Sequence, residues 1–587
     1  MALHTLDWGI IVAYFVISLL IGLVVSKTSG KSVAEFFLSG RNMPWWLLGV
    51  SMVATTFSAD TPNLVTDIVR NHGVSGNWAW WAFLLTGMMT VFVYAKLWRR
   101  TGILTDLEFY ELRYGGKTAS FLRGFRAIYL GLFFNVMIMA TVCLAAIKIG
   151  NVMMGLAPWQ TLLISSVITV AYTMVGGFKG VLFTDFFQFM LAMAGMVIAA
   201  IFLVNKPEIG GLTNLLTHPN VRSAMSVFPD WSNPKEWIPV FLIPVAVQWW
   251  SSWYPGAEPG GGGYIAQRML AAKNEKHAMG ATLFFNIAHY ALRPWPWIII
   301  ALCSMVIFPT INDIAVQLPN VDPSIIKDDL AFPAMLTFLP TGLIGLLVAA
   351  LIAAFMSTIA THLNWGSSYI INDFYKRFVN PEASEKKMIT LARWSTLLLM
   401  ILASLVALQL SSALDAFNIL LQIGAGTGLI FILRWFWYRV NVWSEITGMI
   451  ISFCVAIYFE WFYEGSMESS EKLVIGVLIT TIGWITVTLF TKPEEDAVLT
   501  RFYQKVRPHD FGWKPWLKKT GIKSERNGGG MGKEVLAMLL GCIMVYGFLF
   551  GMGYWIYGEA LNASIWIAIG IISSYALWKL WRKLSFS

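Results

Sequence analysis

The chain has 587 residues, 57% of them hydrophobic and 13% charged, with a net charge of +9 and a mean hydropathy of +0.63. That balance excludes an ordinary soluble globular protein and a disordered one, and marks an all-α polytopic membrane protein. The positive charge is spread over loops that alternate along the chain, so it argues for membrane orientation and against a nucleic-acid partner.

Apolar runs of about 20 residues, enough to cross a hydrocarbon core of about 30 Å, predict about fifteen transmembrane helices. The first begins near Trp8 and lacks both a basic leader and a small-residue cleavage site, so it reads as a retained helix rather than a signal peptide. The second begins near Met43 and passes through Ala54, Thr56, Phe57, Asp60, Thr61 and Pro62, which places hydroxyls, a carboxylate and a proline at membrane depth. Spans follow from near Asn77, Phe125, Trp159 and Val181, and Asp185 stands near the start of the last of these. The seventh begins near Trp237 and is interrupted by Pro and Gly between Tyr254 and Gly263. The eighth, from near His277, contains His289 and Arg293. The ninth, from near Thr341, holds the Ala-rich run with Ala354, Ser357, Thr358 and Thr361. Further spans begin near Met388, Leu414, Glu445, Lys472, Glu534 and Asn562, with a polar, basic, Gly-rich linker at 492–533.

With the N-terminus outside, the clusters Lys27/Lys31/Arg41, Arg99/Arg100/Arg113/Lys117/Arg123/Arg126, Arg268/Lys273/Lys276, Lys376/Arg377/Lys386/Lys387, Arg434/Arg439 and Lys514/Lys518/Lys519/Lys523 all fall inside. The positive-inside rule therefore gives N-out, C-in. Tryptophans near span ends, among them Trp45, Trp46, Trp80, Trp81, Trp435, Trp437 and Trp581, read as interfacial belt.

Pro and Gly remove rungs from the backbone hydrogen-bond ladder, and the freed carbonyls are tolerated at membrane depth only beside a cavity or an ion. The two broken spans are five crossings apart. Because five is odd, a second five-helix unit enters from the opposite face and makes an inverted repeat, with the broken first helices marking the midplane site; two Pro-kinked packing helices are the alternative. The expected organisation is an N-terminal peripheral helix and cytoplasmic loop at 1–42, a first repeat at 43–204 and an extracellular loop at 205–236. A second repeat at 237–440 and peripheral C-terminal helices at 441–587 complete it.

Sodium is a hard cation that takes oxygen ligands. Carbonyls of Ala54 and Phe57 at the first break, with the Ala354 carbonyl and the Ser357 and Thr358 hydroxyls of the ninth span, offer five oxygens. Hydroxyls that bond back to their own helix or glue it to a neighbour are the alternative. Asp185 is either a first-turn acid favoured by the helix dipole or a functional intramembrane carboxylate. Candidate solute contacts between the broken helices are Thr56, Asp60 and Thr61 on one side and Trp249, Trp250 and Trp253 on the other, joined by Asn77 at the start of the third span and by His289 and Arg293 of the eighth. An intramembrane Arg293 suits a carboxylate or phosphate oxygen, or pairs with Asp60 or Glu258. His362 reads as hydrogen-bonded within the bundle, and the Gly424–Gly428 run as close helix packing. No phosphate-binding Gly-Lys-Ser/Thr loop and no compact nucleophile, base or metal-ligand set occurs, so an enzyme is not expected.

The Ala-rich run ending Met356-Ser357-Thr358, followed by Asn372-Asp373-Phe374-Tyr375-Lys376, resembles the sodium-binding helix of the sodium:solute symporter family, which includes the sodium/glucose and sodium/proline cotransporters. Supporting landmarks are Gly40-Arg-Asn-Met-Pro-Trp-Trp46, Gly176-Gly177 with Thr184-Asp185-Phe-Phe-Gln188, Gln267-Arg268-Met-Leu-Ala-Ala-Lys273, and Phe436-Trp437-Tyr-Arg439. The resemblance implies a LeuT-like five-plus-five inverted-repeat core working by alternating access. It also implies a sodium site at Ala54, Phe57, Ala354, Ser357 and Thr358, and no cofactor beyond sodium as coupling ion. Asp185 matches an aspartate that some members use at a second sodium site with Ser357 and Thr361, although Ala360 stands where those members often carry a hydroxyl. By resemblance Phe417, with Asn418 beside it, is also a candidate solute contact, but Asn77 and Phe417 replace a glutamate and a glutamine of the sugar cotransporters, so a glucose or galactose pocket is not supported. The expectation is a bacterial inner-membrane symporter whose partners are sodium, a small polar organic solute (sugar, sugar acid, carboxylate or amino acid) and the bilayer. Proton coupling through Asp60, Asp185 or His289, or a transporter-like sensor, are the rivals.

Overall fold

Among the described residues, eleven helices are long and apolar enough to cross a membrane. They belong to a computed structural model that describes residues 3–251, 258–319, 321, 323, 326–410, 423–524 and 530–584. Among these residues no strand forms. The expected positions Trp253, Phe417 and Asn418 lie outside the described residues.

The first helix, α1 (Thr5–Ser29), lies mostly exposed and packs against the bundle through one narrow face that carries Asp7, Ile11, Tyr14 and Ser18. Tyr14 receives a hydrogen bond from Gln188 at 2.9 Å and donates to the Met356 sulfur at 3.3 Å. Near its start, the Asp7 carboxylate accepts from the backbone amides of Gly342 and Gly345 at 2.7 and 3.0 Å. A carboxylate there satisfies orphan donors and the positive end of the helix that follows Gly342.

The expected interruption of the second span is present. Helix α2 (Trp45–Thr56) ends at Phe57, whose backbone (φ −90°, ψ 74°) leaves the helical region. Helix α3 (Thr61–His72) restarts with Pro62 in its first turn, where the missing N–H costs nothing. Next come α4 (Val74–Thr101), α5 (Gly116–Met154) and α6 (Pro158–Val204). The α5 helix begins well before the expected Phe125, because Arg123 and Arg126 are buried against Asp373 and Glu258 and so do not end the span. At 47 residues α6 would reach about 70 Å if straight. It turns instead at Gly177 (φ 55°, ψ −158°), a conformation that essentially only glycine adopts. The turn falls between the runs expected to begin near Trp159 and Val181.

The helical stretch at 234–251 leads to α7 (Gly263–Ala271). Beyond it lie α8 (Glu275–Ile307) and α9 (Leu343–Val379). From Leu347 to Ile359 nearly every α9 residue is buried, whichever way it faces, which marks the central helix of the bundle. Then come α10 (Glu385–Ala407), a short α11 (Gly428–Leu433), α12 (Val442–Phe462) and α13 (Ser469–Phe490). The last crossings are α16 (Gly530–Ile556) and α17 (Ala560–Trp581).

The polar stretch read as a linker is largely folded. It forms α14 (Asp496–Val506) and α15 (Lys514–Thr520), which lie over the end of the bundle where the basic clusters gather. There the Trp513 indole donates to the Trp435 carbonyl at 3.0 Å, and the Arg113 guanidinium lies 5.3 Å from both the Phe502 and Trp513 rings. Trp81 and Trp435 are buried in the protein rather than at its lipid surface, correcting their assignment to an interfacial belt. Trp45 and Trp46 are exposed as that assignment expects. The difference is one of packing partner: Trp435 stacks against Trp98 and Phe109.

Candidate functional site

The break in α2/α3 lies against the middle of α9. Freed carbonyls at such a break need a partner, and Thr358 of α9 supplies it. Its hydroxyl donates to the Thr55 carbonyl at 2.8 Å and lies 3.2 Å from the Ala354 carbonyl one turn back. The Ala54 carbonyl accepts the turn-closing bond from the Phe57 amide at 3.1 Å. So Ala54, Phe57, Ala354 and Thr358 come together, from two elements far apart in sequence. The hydroxyls serve two of the anticipated purposes at once, bonding within α9 and bridging to α2.

Ser357 turns to the other side, donating to Asp185 of α6 at 2.7 Å. Asp185 also accepts from Ser51 of α2 at 2.5 Å. It is fully buried within α6 and caps nothing, which removes the first-turn reading. Facing it is a group not anticipated at this place: Arg268 of α7, itself fully buried. Its guanidinium lies 3.7 Å from Asp185, donates to Thr361 at 2.7 Å and to Ser51 at 3.0 Å, and covers the Phe178 ring. Asp185, Ser357 and Thr361 are thus brought together, around a protein cation. Arg268 stands in a motif quoted for family resemblance, but sequence spacing gives no signal that it reaches back to α6.

A second group forms above the break. Thr56 and His289 share a hydrogen bond at 2.9 Å, and Arg293 donates to Thr56 at 3.1 Å. The Thr61 hydroxyl reaches the Thr56 carbonyl at 3.5 Å. Trp80, read from sequence as a belt residue, packs on His289 and Tyr290 and lines a cavity of about 1540 Å³ together with Asp67, Arg70, Gln248 and Asp328. Thr56, Asp60, Thr61, His289 and Arg293 therefore cluster as expected. Asn77 does not join them: fully buried, it donates to the Val74 carbonyl and accepts from the Trp80 indole. Nor does Trp250, which bonds its own helix at Ala246 and packs beside Ala425 and Leu473. His362 is held by Asn135 at 2.7 Å, as expected of a bundle histidine.

The opposite end of the bundle is closed by ion pairs: Arg126 with Glu258, Arg123 with Asp373 and Glu111, Arg434 with Glu445, and Arg100 with Glu275. Glu111 is buried on one side, but hydrogen bonds from Arg377, Ser120 and Arg123 outweigh that burial and hold its carboxyl down at about 2. Asp106, in the loop between α4 and α5, accepts from Tyr369 at 2.5 Å and from the Gly263 amide at 2.8 Å. Desolvation, followed by repulsion from Glu258, pushes it up to about 6. The molecule is accordingly open at one end and sealed at the other, with the broken helix between.

The family model for the sodium:solute symporter family matches residues 36–452. The chain belongs to this family. It is 25% identical over 513 residues to the sodium/glucose cotransporter of Vibrio parahaemolyticus, covering 84% of this chain and 92% of that one. It is equally 25% identical over 499 residues to the sodium/sialic acid symporter of Proteus mirabilis, covering 81% and 94%. Among solved structures it resembles a Na+-coupled sialic acid symporter in a substrate-bound outward-open state. That likeness has a TM-score of 0.67 at 23% identity and covers 84% of this chain and 99% of that one. The protein is an integral membrane transporter with the all-helical fold of that group, and family membership supports sodium-coupled symport.

Proposed function

We propose that the chain imports one small polar organic solute together with sodium, by alternating access about the α2/α3 break, across a bacterial inner membrane. The observation that carries this is the Thr358 hydroxyl on the freed Thr55 carbonyl, 2.8 Å away. It is a neutral, all-oxygen setting at mid-bundle in which a hard cation can replace the hydroxyl as partner of the carbonyls. Ala54, Phe57, Ala354 and Thr358 are the proposed ligands, and Ser357, which here donates to Asp185, joins them by turning away from that carboxylate. A second sodium at Asp185, Ser357 and Thr361 would have to share Asp185 with Arg268.

The proposed architecture is fifteen crossings, N-out and C-in, with the five-helix repeats at 43–204 and 237–440. Supporting it are the eleven long spans, the turn at Gly177 and the gathering of basic clusters at the end covered by α14 and α15. The cavity then opens outward and the ion-paired end faces the cytoplasm.

A neutral site makes energetic sense. One charge moving through 100 mV contributes about 2.3 kcal/mol, and a tenfold sodium gradient about 1.4 kcal/mol. Together they sustain about a 500-fold gradient per sodium for a solute of no net charge, whereas a monoanion crossing with one sodium moves no charge and draws only on the sodium gradient, about tenfold. Uptake into proteoliposomes under an imposed sodium gradient, with a pH gradient as the parallel arm, tests the reading. Uptake that follows the pH gradient and ignores sodium would overturn it in favour of proton coupling.

A further inference from the structure

Among the described residues, Arg113, Arg268 and Arg293 are the arginines buried most completely. Arg268 faces Asp185, and Arg113 donates to the carbonyls of Arg434, Trp437, Tyr438 and Val440. Arg293 has neither kind of partner among the described residues. Glu258, one of the acids expected to neutralise it, is taken by Arg126, and among the described residues no ion pair forms between Arg293 and Asp60. Among the described residues its guanidinium hydrogen-bonds to Thr56 at 3.1 Å and His289 at 3.1 Å and lies 5.1 Å from the Trp297 ring. Its Nε has no acceptor among the described residues. Near the same break, the Asp60 Oδ1 is buried without a donor among the described residues.

A buried charge is retained when something pairs with it, and a buried donor or acceptor left bare is unfavourable. Here a buried guanidinium and a buried carboxyl group, each with one unfilled hydrogen-bonding atom, stand near the same break, close to a tryptophan that lines the open cavity. A plain polyol would bring charge to neither of them. Resting on the symport reading above, we infer that the solute is a small organic acid with a hydroxyl or ammonium beside its carboxylate. Arg293 takes the carboxylate in the charge-assisted geometry a guanidinium favours, and Asp60 accepts from the neighbouring donor. Because Thr56 directly precedes Phe57, the carboxylate settles next to the proposed sodium cage. Cation and acid then stabilise one another there, a direct physical source of coupling.

The test uses the purified full-length protein and matched pairs differing only in the carboxyl group: glucuronate with glucose, lactate with 1,2-propanediol, and proline with prolinamide. A ligand that binds the folded form raises the unfolding midpoint. The expected result is that at least one acid raises it in sodium but not in potassium, while its partner does not. Arg293→Gln abolishes that shift, Arg293→Lys keeps part of it, and Asp60→Asn weakens the acid at least tenfold. In each variant the shift produced by sodium alone persists, which shows that the site still folds. The inference is overturned if the partner lacking the carboxyl binds as well as the acid, if the acid response survives Arg293→Gln, or if no acid in the panel responds. Absence of any sodium effect on the unsubstituted protein is a different failure: the symport reading then falls, and this inference with it.

Discussion

Replacing Thr358 by valine separates the two duties of its hydroxyl, because the shapes match and only the oxygen is lost. Without sodium, the loss is the bond to the Thr55 carbonyl. Intramembrane side-chain hydrogen bonds average about 0.6 kcal/mol and reach about 1.7 kcal/mol, so the ion-free protein should unfold only slightly more easily. With sodium, the loss is one of the proposed oxygen ligands to a charge. A hydrogen-bond-like contact to a charged group contributes about 1.5–3 kcal/mol, and that predicts about a 10- to 150-fold rise in the sodium concentration for half-maximal effect. Sodium at one hundred times its dissociation constant stabilises the native state by about 2.7 kcal/mol, and a site weakened thirtyfold retains about 0.9 kcal/mol at the same concentration. Sodium titrations of the unfolding midpoint and of solute uptake should both move by the same factor, and Thr358→Ser should restore most of it. An unchanged sodium titration in Thr358→Val would show that the hydroxyl is only a bracket between helices, and the ion cage would have to be sought elsewhere.

Asp185→Asn and Arg268→Gln should each lower thermal stability by about 3–5 kcal/mol, since each strands the other charge in a site closed to solvent. The double substitution should recover a substantial part, and a double variant whose loss equals the sum of the singles would argue against a direct Asp185–Arg268 interaction. Asp106 gives a pH dependence. Its carboxyl lies above the ordinary range in this closed arrangement, at about 6, so the neutral form favours closure. That stabilisation is complete below about pH 4 and is lost as pH rises through about 6. Lowering the internal pH of proteoliposomes from 7 to 5 should therefore slow turnover, and Asp106→Asn should flatten the profile. An equally steep profile in Asp106→Asn would assign the effect to another group.

Much of the architecture was legible from sequence for a plain reason: bilayer crossing demands long apolar runs, and breaks in them are visible as Pro, Gly and polar residues. The interruption after Thr56, the turn between the runs at Trp159 and Val181, and the hydroxyl face of α9 were all recoverable in this way. The sequence also signalled that Thr56, Asp60, Thr61, His289 and Arg293 were chemically unusual for their depth. Which of them meet was decided only in three dimensions. Arg268 reaches Asp185, Asn77 turns back on the first turn of its own helix, Trp81 packs into the protein and Trp80 onto a cavity wall instead of the interface, and the linker folds over Arg113. Each of these outcomes depends on side chains brought together from distant spans, and neither periodicity nor local propensity encodes the rotation of one helix against another. Hydropathy determined where the chain crosses the bilayer; the packing of the crossings determined which charges are paired and which are left for a ligand.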